Sequence, residues 1–371
     1  MVWIRPPRPI VLGLDSSPSA GFAWERAMYL ITGGCGFIGS AVVARLLAEG
    51  ASIRILDLRT PRDHVDEALR AGRLEFIRGD LTYAPELERA MEGIDSVIHL
   101  GARLLLCGDL EDMRRVNIDG TRHVLEAARA AGVRRVVYTS TGMLYAHTPG
   151  RATREDDPAR PSGPYGQSKL EAERVCRSFM DRGLEMVILR PLFVLGAGRL
   201  GVLHILFDRI RKGRPVYLVG GGTNRFHMIG VDDLASAILL AARDVPPGVY
   251  NVGVEHPTPV AAQMSALIAH VGSRSAIRPL PVSLVRFGID LLAMLNLAPI
   301  EPEHQRVAFQ DRVLDLTKAH RIMGWQAERG DVDLLIEAWQ GYLKALEQPR
   351  TERADWPDGG ILGEGWLGRF L

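Results

Sequence analysis

The sequence predicts an α/β fold: a doubly wound parallel sheet with a smaller C-terminal substrate-binding region. Three observations carry this. From Met28 to about residue 190, short apolar runs alternate with segments of helical spacing. The runs are apolar at consecutive positions, as in strands buried on both faces. A glycine-rich turn, "TGGCGFIG", stands between the first run and the first helical segment. Strands that alternate with helices form a parallel sheet covered on both sides, and right-handed crossovers wind it in two directions.

The elements follow in order. "MYLITGG" reads as a strand ending in a turn, and "GSAVVARLLAEG" as a helix with glycine at its C-terminal cap. "SIRILDL" and "LEFIRGDL" are the second and third strands, "ELERAMEGI" a helix, and "DSVIHLGA" the fourth strand. "MRRVNIDGTRHVLEAARAAGV" reads as one long amphipathic helix, and "RRVVYTST" as the fifth strand. "SKLEAERVCRSFMDRG" is a helix and "LEMVILRP" a strand. Beyond Pro191, helices ("LGVLHILFDRIRKG", "VDDLASAILLAARDV") lie between short strands ("PVYLVGG", "GVYNVG"). The expected organisation is an N-terminal extension over residues 1–27, disordered and outside the fold, and a dinucleotide-binding domain over 28–190. A region interleaved with it spans 191–348, and a tail spans 349–371. "LVRFGIDLLAMLNLAP", from Leu284 to Pro299, has the spacing of an amphipathic helix that roofs a core or an apolar pocket.

Bulk numbers narrow the class. The chain has 371 residues, enough for one large domain or two modest ones. Its 45 basic and 44 acidic residues are intermixed, so no basic stripe marks a nucleic-acid partner. No apolar run reaches the roughly 18 residues of a membrane span. Cys35, Cys107 and Cys176 lie far apart, without disulfide or metal spacing. A reduced, cytoplasmic protein is the expectation.

In the glycine turn, Gly33, Gly36 and Gly39 recur at every third position. Glycines let the backbone turn sharply and let a pyrophosphate approach with no Cβ in the way. The helix that opens behind them offers N–H groups and a positive dipole end. Asp57 lies 24 residues after Gly33, at the end of the second strand. A carboxylate there accepts ribose hydroxyls and repels a 2′-phosphate, which favours NAD over NADP. Arg59, two residues on, is what a 2′-phosphate would want, so NADP stays open. Asp80, in "GDL" with Leu81, stands at the next strand end, placed to meet adenine.

"GPYGQSK" places Tyr165 and Lys169 four apart, on one helix face. A cation beside a phenol lowers its pKa from about 10 toward working pH. Tyr165 is then a candidate general acid/base for an alcohol–ketone pair. Upstream, "VVYTSTGMLYA" brings Thr139, Ser140 and Thr141 to the carboxyl end of the fifth strand, where ligands lie in such sheets.

The set resembles an extended short-chain dehydrogenase/reductase of the NAD-dependent epimerase/dehydratase superfamily. The matching pieces are "TGGCGFIG", Asp57, "GDL", "HLGA", "NIDGT", "YTSTGMLYA", "YGQSK", "LRPLFVLGAG" and "VDDLA", with "HRIMGW" more weakly. They run in the family's order and span most of the chain. The resemblance implies that Gly33, Gly36 and Gly39 hold the pyrophosphate, with Phe37 and Ile38 leading into the helix. It implies Tyr165 as acid/base, Lys169 as its partner and ligand of the nicotinamide ribose, and Thr141 as the hydroxyl on the substrate oxygen. Ser140 is the fallback for that hydroxyl, and Asn117 resembles the family's Asn beneath the site. It also implies a homodimer through the two helices that end "ARAAG" and "FMDRG".

The substrate is less defined. The residue after Thr141 is Gly142, where family dehydratases carry an acid. Leu192 and Phe193 stand where many nucleotide-sugar enzymes place an Asn. Arg225 lies near the position of their diphosphate-binding Arg. Two chemistries remain open: epimerisation or oxidation of a nucleotide-sugar, which the resemblance favours by its bulk, and reduction of an apolar ketone, as in hydroxysteroid dehydrogenases and dihydroflavonol reductases. A third reading, a cofactor-sensing regulator, has less support because Tyr165 and Lys169 are both present.

Overall fold

The computed structural model describes residues 27–61, 66–104, 110–196, 200, 203–285 and 310–347. Cys107, the N-terminal extension up to residue 26, the C-terminal tail and all but Leu284 and Val285 of the expected amphipathic helix lie outside the described residues.

Seven strands form one parallel sheet: β1 (Met28–Thr32), β2 (Ser52–Asp57), β3 (Leu74–Arg78), β4 (Ser96–His99), β5 (Arg135–Thr139), β6 (Glu185–Arg190) and β10 (Gly248–Asn251). Their order across the sheet is β10-β6-β5-β4-β1-β2-β3. Every pairing is parallel, with Leu30 of β1 set against Arg54 of β2 and Val97 of β4. The chain reverses its winding between β1 and β4, the switch point that opens a crevice at the carboxyl ends of the strands. β4 and β5 are buried along their whole length, as strands covered on both faces must be.

One face is covered by α1 (Phe37–Ala48) and α8 (Val231–Ala241). Val42, Val43, Leu46, Leu234 and Ile238 are buried between them and the sheet. The larger of these side chains each contribute roughly 1.5–3 kcal/mol on leaving water. The other face carries α3 (Ala84–Met91), α5 (Gly120–Ala130) and α6 (Pro164–Met180), with Leu87, Leu125, Cys176 and Phe179 inside. α2 (Asp66–Arg70) leads into β3.

Two departures from the sequence reading bear on the site. The long helix expected across "MRRVNIDGTRHVLEAARAAGV" is broken into α4 (Leu110–Arg114), a π-turn (Arg115–Asp119) and α5. Gly120 N–H bonds the carbonyl of Arg115, five residues back. The extra residue turns Asn117 inward, where its side chain pairs with the backbone of Arg103 in both directions, at 2.7 and 3.0 Å. Such π-turns recur at functional sites. Second, "GVYNVG", expected among the short strands of the C-terminal region, joins the main sheet as β10, with Val249 opposite Ile188.

The remaining elements form a third apolar cluster. β7 (Phe193–Leu195) pairs with β9 (Met228–Gly230), and β8 (Val216–Val219) with β11 (Ile277–Leu280). α7 (Leu203–Arg211), α9 (Val260–His270) and α10 (Asp331–Glu347) pack around Phe207, Trp339 and Tyr342. Trp325, from "HRIMGW", reaches back to donate its indole N–H to Ser236 Oγ of α8 at 3.0 Å.

Candidate active site

The glycine turn sits at the carboxyl end of β1 and opens α1, and each of its three glycines has a separate steric reason. Gly33 has φ +71°, and a Cβ there would come within 2.8 Å of Gly101 backbone atoms. Gly39 is closed off more severely, since its Cβ would lie 2.3 Å from the Gly33 carbonyl oxygen and 2.7 Å from Gly34 Cα. That glycine lets α1 dock on the loop. At Gly36 the only neighbour within 4 Å among the described residues is the Gly33 carbonyl oxygen, at 3.1 Å. Its open side is where a phosphate can come close to the backbone. Gly36 is also the N-cap of α1 and has no capping side chain, and the first turn carries no acid. The loop therefore presents a positive helix end with nothing anionic of its own on it, which fits a pyrophosphate.

Asp57 ends β2 beside this loop. One carboxylate oxygen accepts Cys35 N–H at 3.0 Å, and the other accepts Arg59 N–H at 3.0 Å. Each oxygen keeps a further lone pair for a ribose hydroxyl. The carboxylate thus braces the loop. Burial, then the Asp57 charge, pushes the Cys35 thiol up to about 12, which leaves it an inert loop residue. Asp80 holds a tight turn, accepting Thr82 N–H at 2.9 Å and Thr82 Oγ1–H at 2.8 Å through one oxygen. Leu81 is buried against Gly101 and Gly120. Phe37 and Ile38 are half-buried at the start of α1, with Ile38 on the core and Phe37 beside Gly196.

The hydroxyl-rich end of β5 lies under α6. Pro164 opens α6 after the N-cap Gly163, so Tyr165 stands in its first turn, half-buried, and Lys169 one turn deeper. Lys169 is buried; its ammonium donates to the Thr139 carbonyl at 2.8 Å and lies 4.3 Å from the centre of the Tyr138 ring. Burial lowers its pKa to about 8, against an opposing pull from Cys176 and Glu173. Thr141 is buried and caps the short 3₁₀ turn Gly142–Leu144 by accepting Met143 N–H at 3.2 Å. Thr139 Oγ1 and Ser140 Oγ, both buried, have no hydrogen-bond partner among the described residues. Buried hydroxyls left open at a strand's carboxyl end are what a bound polar ligand would satisfy.

Beyond Thr141 the chemistry changes. A Cβ at Gly142 would meet Leu192 Cδ1 at 3.2 Å and Leu314 Cδ2 at 3.4 Å, so an acidic side chain there would run into leucines. Phe193, on β7, stacks edge-on with Phe226, with ring centres 5.8 Å apart. Arg225 is half exposed and turned onto Asp311: its N–H donates to Asp311 Oδ1 at 2.6 Å and its guanidinium lies 3.7 Å from Oδ2. The structure so gathers the three glycines and Asp57 beside one loop, and Thr141, Tyr165 and Lys169 around the β5–α6 junction, while Phe193 lies on the β7–β9 pair, packed on Phe226. It leaves Arg225 at the rim, in an ion pair.

Residues 29–253 match the family described as NAD dependent epimerase/dehydratase. The chain is 31% identical over 318 residues to the UDP-glucose 4-epimerase of Mycolicibacterium smegmatis, a match that covers 81% of this chain and 93% of the relative. The chain belongs to the NAD-dependent epimerase/dehydratase family. It is also 28% identical over 360 residues to the 3 beta-hydroxysteroid dehydrogenase/Delta 5-->4-isomerase of Mycobacterium tuberculosis, covering 90% of this chain and 95% of that one. Among solved structures it is similar to MoeE5 in complex with UDP-glucuronic acid and NAD, with TM-score 0.69, 28% identity and coverage of 86% and 100%. Its relatives in this epimerase/dehydratase family are enzymes, and its cofactor is NAD. No described helix is long and apolar enough to cross a membrane.

Sequence reasoning missed one buried polar residue that packs on Tyr138 beneath Lys169. His99, in "HLGA", is wholly buried at the end of β4, with its ring 5.4 Å from that of Tyr138. Burial and then the Lys169 charge lower its pKa to about 3, so the imidazole stays neutral. The only signal was a histidine closing a short buried strand, directly after Val97 and Ile98.

Proposed function

We propose that the protein transfers a hydride between NAD and a secondary alcohol or ketone at a Thr141–Tyr165–Lys169 site. The observation that carries this is the buried Lys169 ammonium, held on the Thr139 carbonyl one helical turn from Tyr165. A cation fixed there favours the phenolate of Tyr165, which takes the substrate hydroxyl proton on oxidation and returns it on reduction. Thr141 holds the substrate oxygen, and Ser140 is the alternative hydroxyl. The turn at Gly33, Gly36 and Gly39 holds the pyrophosphate, while Asp57 takes the adenosine ribose. NAD, when bound, supplies the hydride acceptor. Dimerisation through α5 and α6 belongs to the same proposal, and a monomer at micromolar concentration would remove that part.

For the substrate, the resemblance puts a nucleotide-sugar first, and the likeness to the epimerase and to MoeE5 supports it. A second reading, an apolar alcohol or ketone, is favoured by the Phe193–Phe226 pair and by Leu192 and Leu314 against Gly142. One assay separates them. Turnover of UDP- or dTDP-sugars without added cofactor, with NAD co-purifying, supports the first. A change in reduced-nicotinamide absorbance with steroid or flavanone-like ketones and none with sugars supports the second and sinks the first. Full activity in Tyr165→Phe would overturn the catalytic assignment in both.

A further inference from the structure

β1 and β4 are neighbours in the sheet, and each ends in a residue that points at the other. Thr32 closes β1 immediately before the glycine turn, and His99 closes β4. Thr32 Oγ1 lies 2.6 Å from His99 Nδ1, and His99 Nε2 lies 3.0 Å from Thr121 Oγ1. Thr121 Oγ1 donates in turn to the Asn117 carbonyl at 2.7 Å. This last bond sets every direction in the chain. A hydroxyl has one hydrogen, so Thr121 spends it on the carbonyl and accepts from the ring. Nε2 therefore carries the imidazole proton, Nδ1 is bare, and the Thr32 hydroxyl donates to it.

The path continues through Asn117, which the π-turn aims inward. Its side-chain amide donates to Ser168 Oγ at 2.9 Å, and Ser168 donates to the Tyr165 carbonyl at 2.8 Å. The root of the glycine turn is thus tied to the first turn of α6 through five side chains, all of them buried. The loop side of this path is tight as well. Gly101 follows His99 by two residues, and its backbone closes on Gly33 so nearly that no Cβ fits between them.

We propose that His99 is a positioning residue: held as its Nε2–H tautomer between Thr32 and Thr121, it fixes the glycine turn relative to the α6 turn that carries Tyr165. The cofactor's phosphates lie on one end of this chain and the reacting phenol on the other, so the chain sets the distance between them. The functional meaning rests on the reading that the turn holds NAD and that Tyr165 reacts. The hydrogen-bond chain does not.

The test uses the full-length protein and pairs each hydroxyl deletion with a hydroxyl-keeping control. Thr121→Val and Thr32→Val keep the shape of threonine and break the chain; Thr121→Ser and Thr32→Ser keep it. NADH affinity is read by its fluorescence on binding, and amide hydrogen exchange is read at residues 33–40 and 164–170. We expect each Val variant to weaken NADH about tenfold, the loss of one well-made buried hydrogen bond. Exchange should quicken in both segments, including the one remote from the substitution, while the Ser variants stay near wild type. Nitrogen-15 NMR of the His99 ring in the wild-type protein should show the Nε2–H tautomer. An Nδ1–H tautomer, Val and Ser variants that behave alike, or exchange changes confined to the substituted element would each overturn the proposal. A wild-type protein that fails to bind NADH would count against the cofactor reading alone, and the exchange and tautomer measurements would still decide this one.

Discussion

The cofactor end of the cleft is held by hydrogen bonds among buried polar groups, whereas the β7–β9 side is held by aromatic and aliphatic packing. At the first end, Asp57 takes two backbone N–H groups, Lys169 a carbonyl, and His99 two hydroxyls. At the second, Phe193 leans on Phe226, and Leu192 and Leu314 crowd Gly142. Hydrogen bonds fix direction and distance, so the first end can hold one ligand in one pose. Packing fixes volume and tolerates exchange of one apolar residue for another. The difference teaches which part of the fold tolerates change: an end fixed by directed hydrogen bonds holds one arrangement, whereas the β7–β9 side, held by packing, can be re-tuned by a few side chains.

The largest effect expected from breaking this contrast is at Tyr165. On the proposal that Tyr165 carries the proton, Tyr165→Phe should lower turnover about 10²–10⁴-fold and leave NAD affinity nearly unchanged. Steady-state rates and NADH titration on one preparation check both halves of that statement. The next largest compares two glycines in one loop. Gly39→Ala forces a Cβ to within 2.3 Å of the Gly33 oxygen, so the loop must move. Overpacking of this kind costs about 1–3 kcal/mol of stability, and NAD binding should go with it. Gly36→Ala meets one atom among the described residues, at 3.1 Å, and should fold normally yet bind NAD poorly. A Gly36→Ala protein with wild-type NADH affinity would show that the phosphates lie elsewhere.

A smaller effect is expected on the apolar side. Phe193→Asn removes the edge contact with Phe226 and puts a hydrogen-bonding amide in its place. If the substrate is apolar, KM should rise about tenfold, the worth of roughly one lost aromatic contact. NADH affinity should stay the same. A KM that falls for UDP-sugars would favour the nucleotide-sugar reading instead.

These regions also differ in how far the sequence alone reveals them. The cofactor end is built largely from residues close together in the chain. The spacing of Gly33, Gly36 and Gly39 and the four-residue step from Tyr165 to Lys169 are readable because a turn and a helix have fixed geometry. The strand–helix alternation gave the parallel sheet for the same reason. What stayed hidden joins distant segments. His99 meets Thr32 across 67 residues, and no periodicity marks that pairing. Phe193 meets Phe226 across a strand pair too short to stand out. The π-turn at Asn117 adds one residue to a helix without disturbing its apolar face, so the pattern reads as unbroken. β10 looks like any short apolar strand; only packing against β6 places it in the main sheet.

A last comparison, read in stability alone, sets one buried histidine from each side against the other. His99 lies at the cofactor end; His227 lies beside β9, where its Nε2–H donates to the Val254 carbonyl and its Nδ1 accepts Leu314 N–H at 2.9 Å. Burial lowers His99 to about 3 and His227 to about 4, from an ordinary value of 6.5. Both folded values lie below the unfolded one, so below pH 6.5 the unfolded chain takes up protons that the native rings refuse. Stability is therefore full above 6.5 and falls with pH by about 1.4 kcal/mol per unit for each histidine. The loss from His227 should stop near pH 4 and that from His99 near pH 3. Urea midpoints between pH 4 and 7, with His99→Gln and His227→Gln beside the wild type, measure each share, because the carboxylates contribute alike to all three proteins. Each variant should lose one histidine's part of the slope. An unchanged slope in His99→Gln would mean that the ring takes its proton in the folded protein, and that the cofactor end is looser than its hydrogen bonds imply.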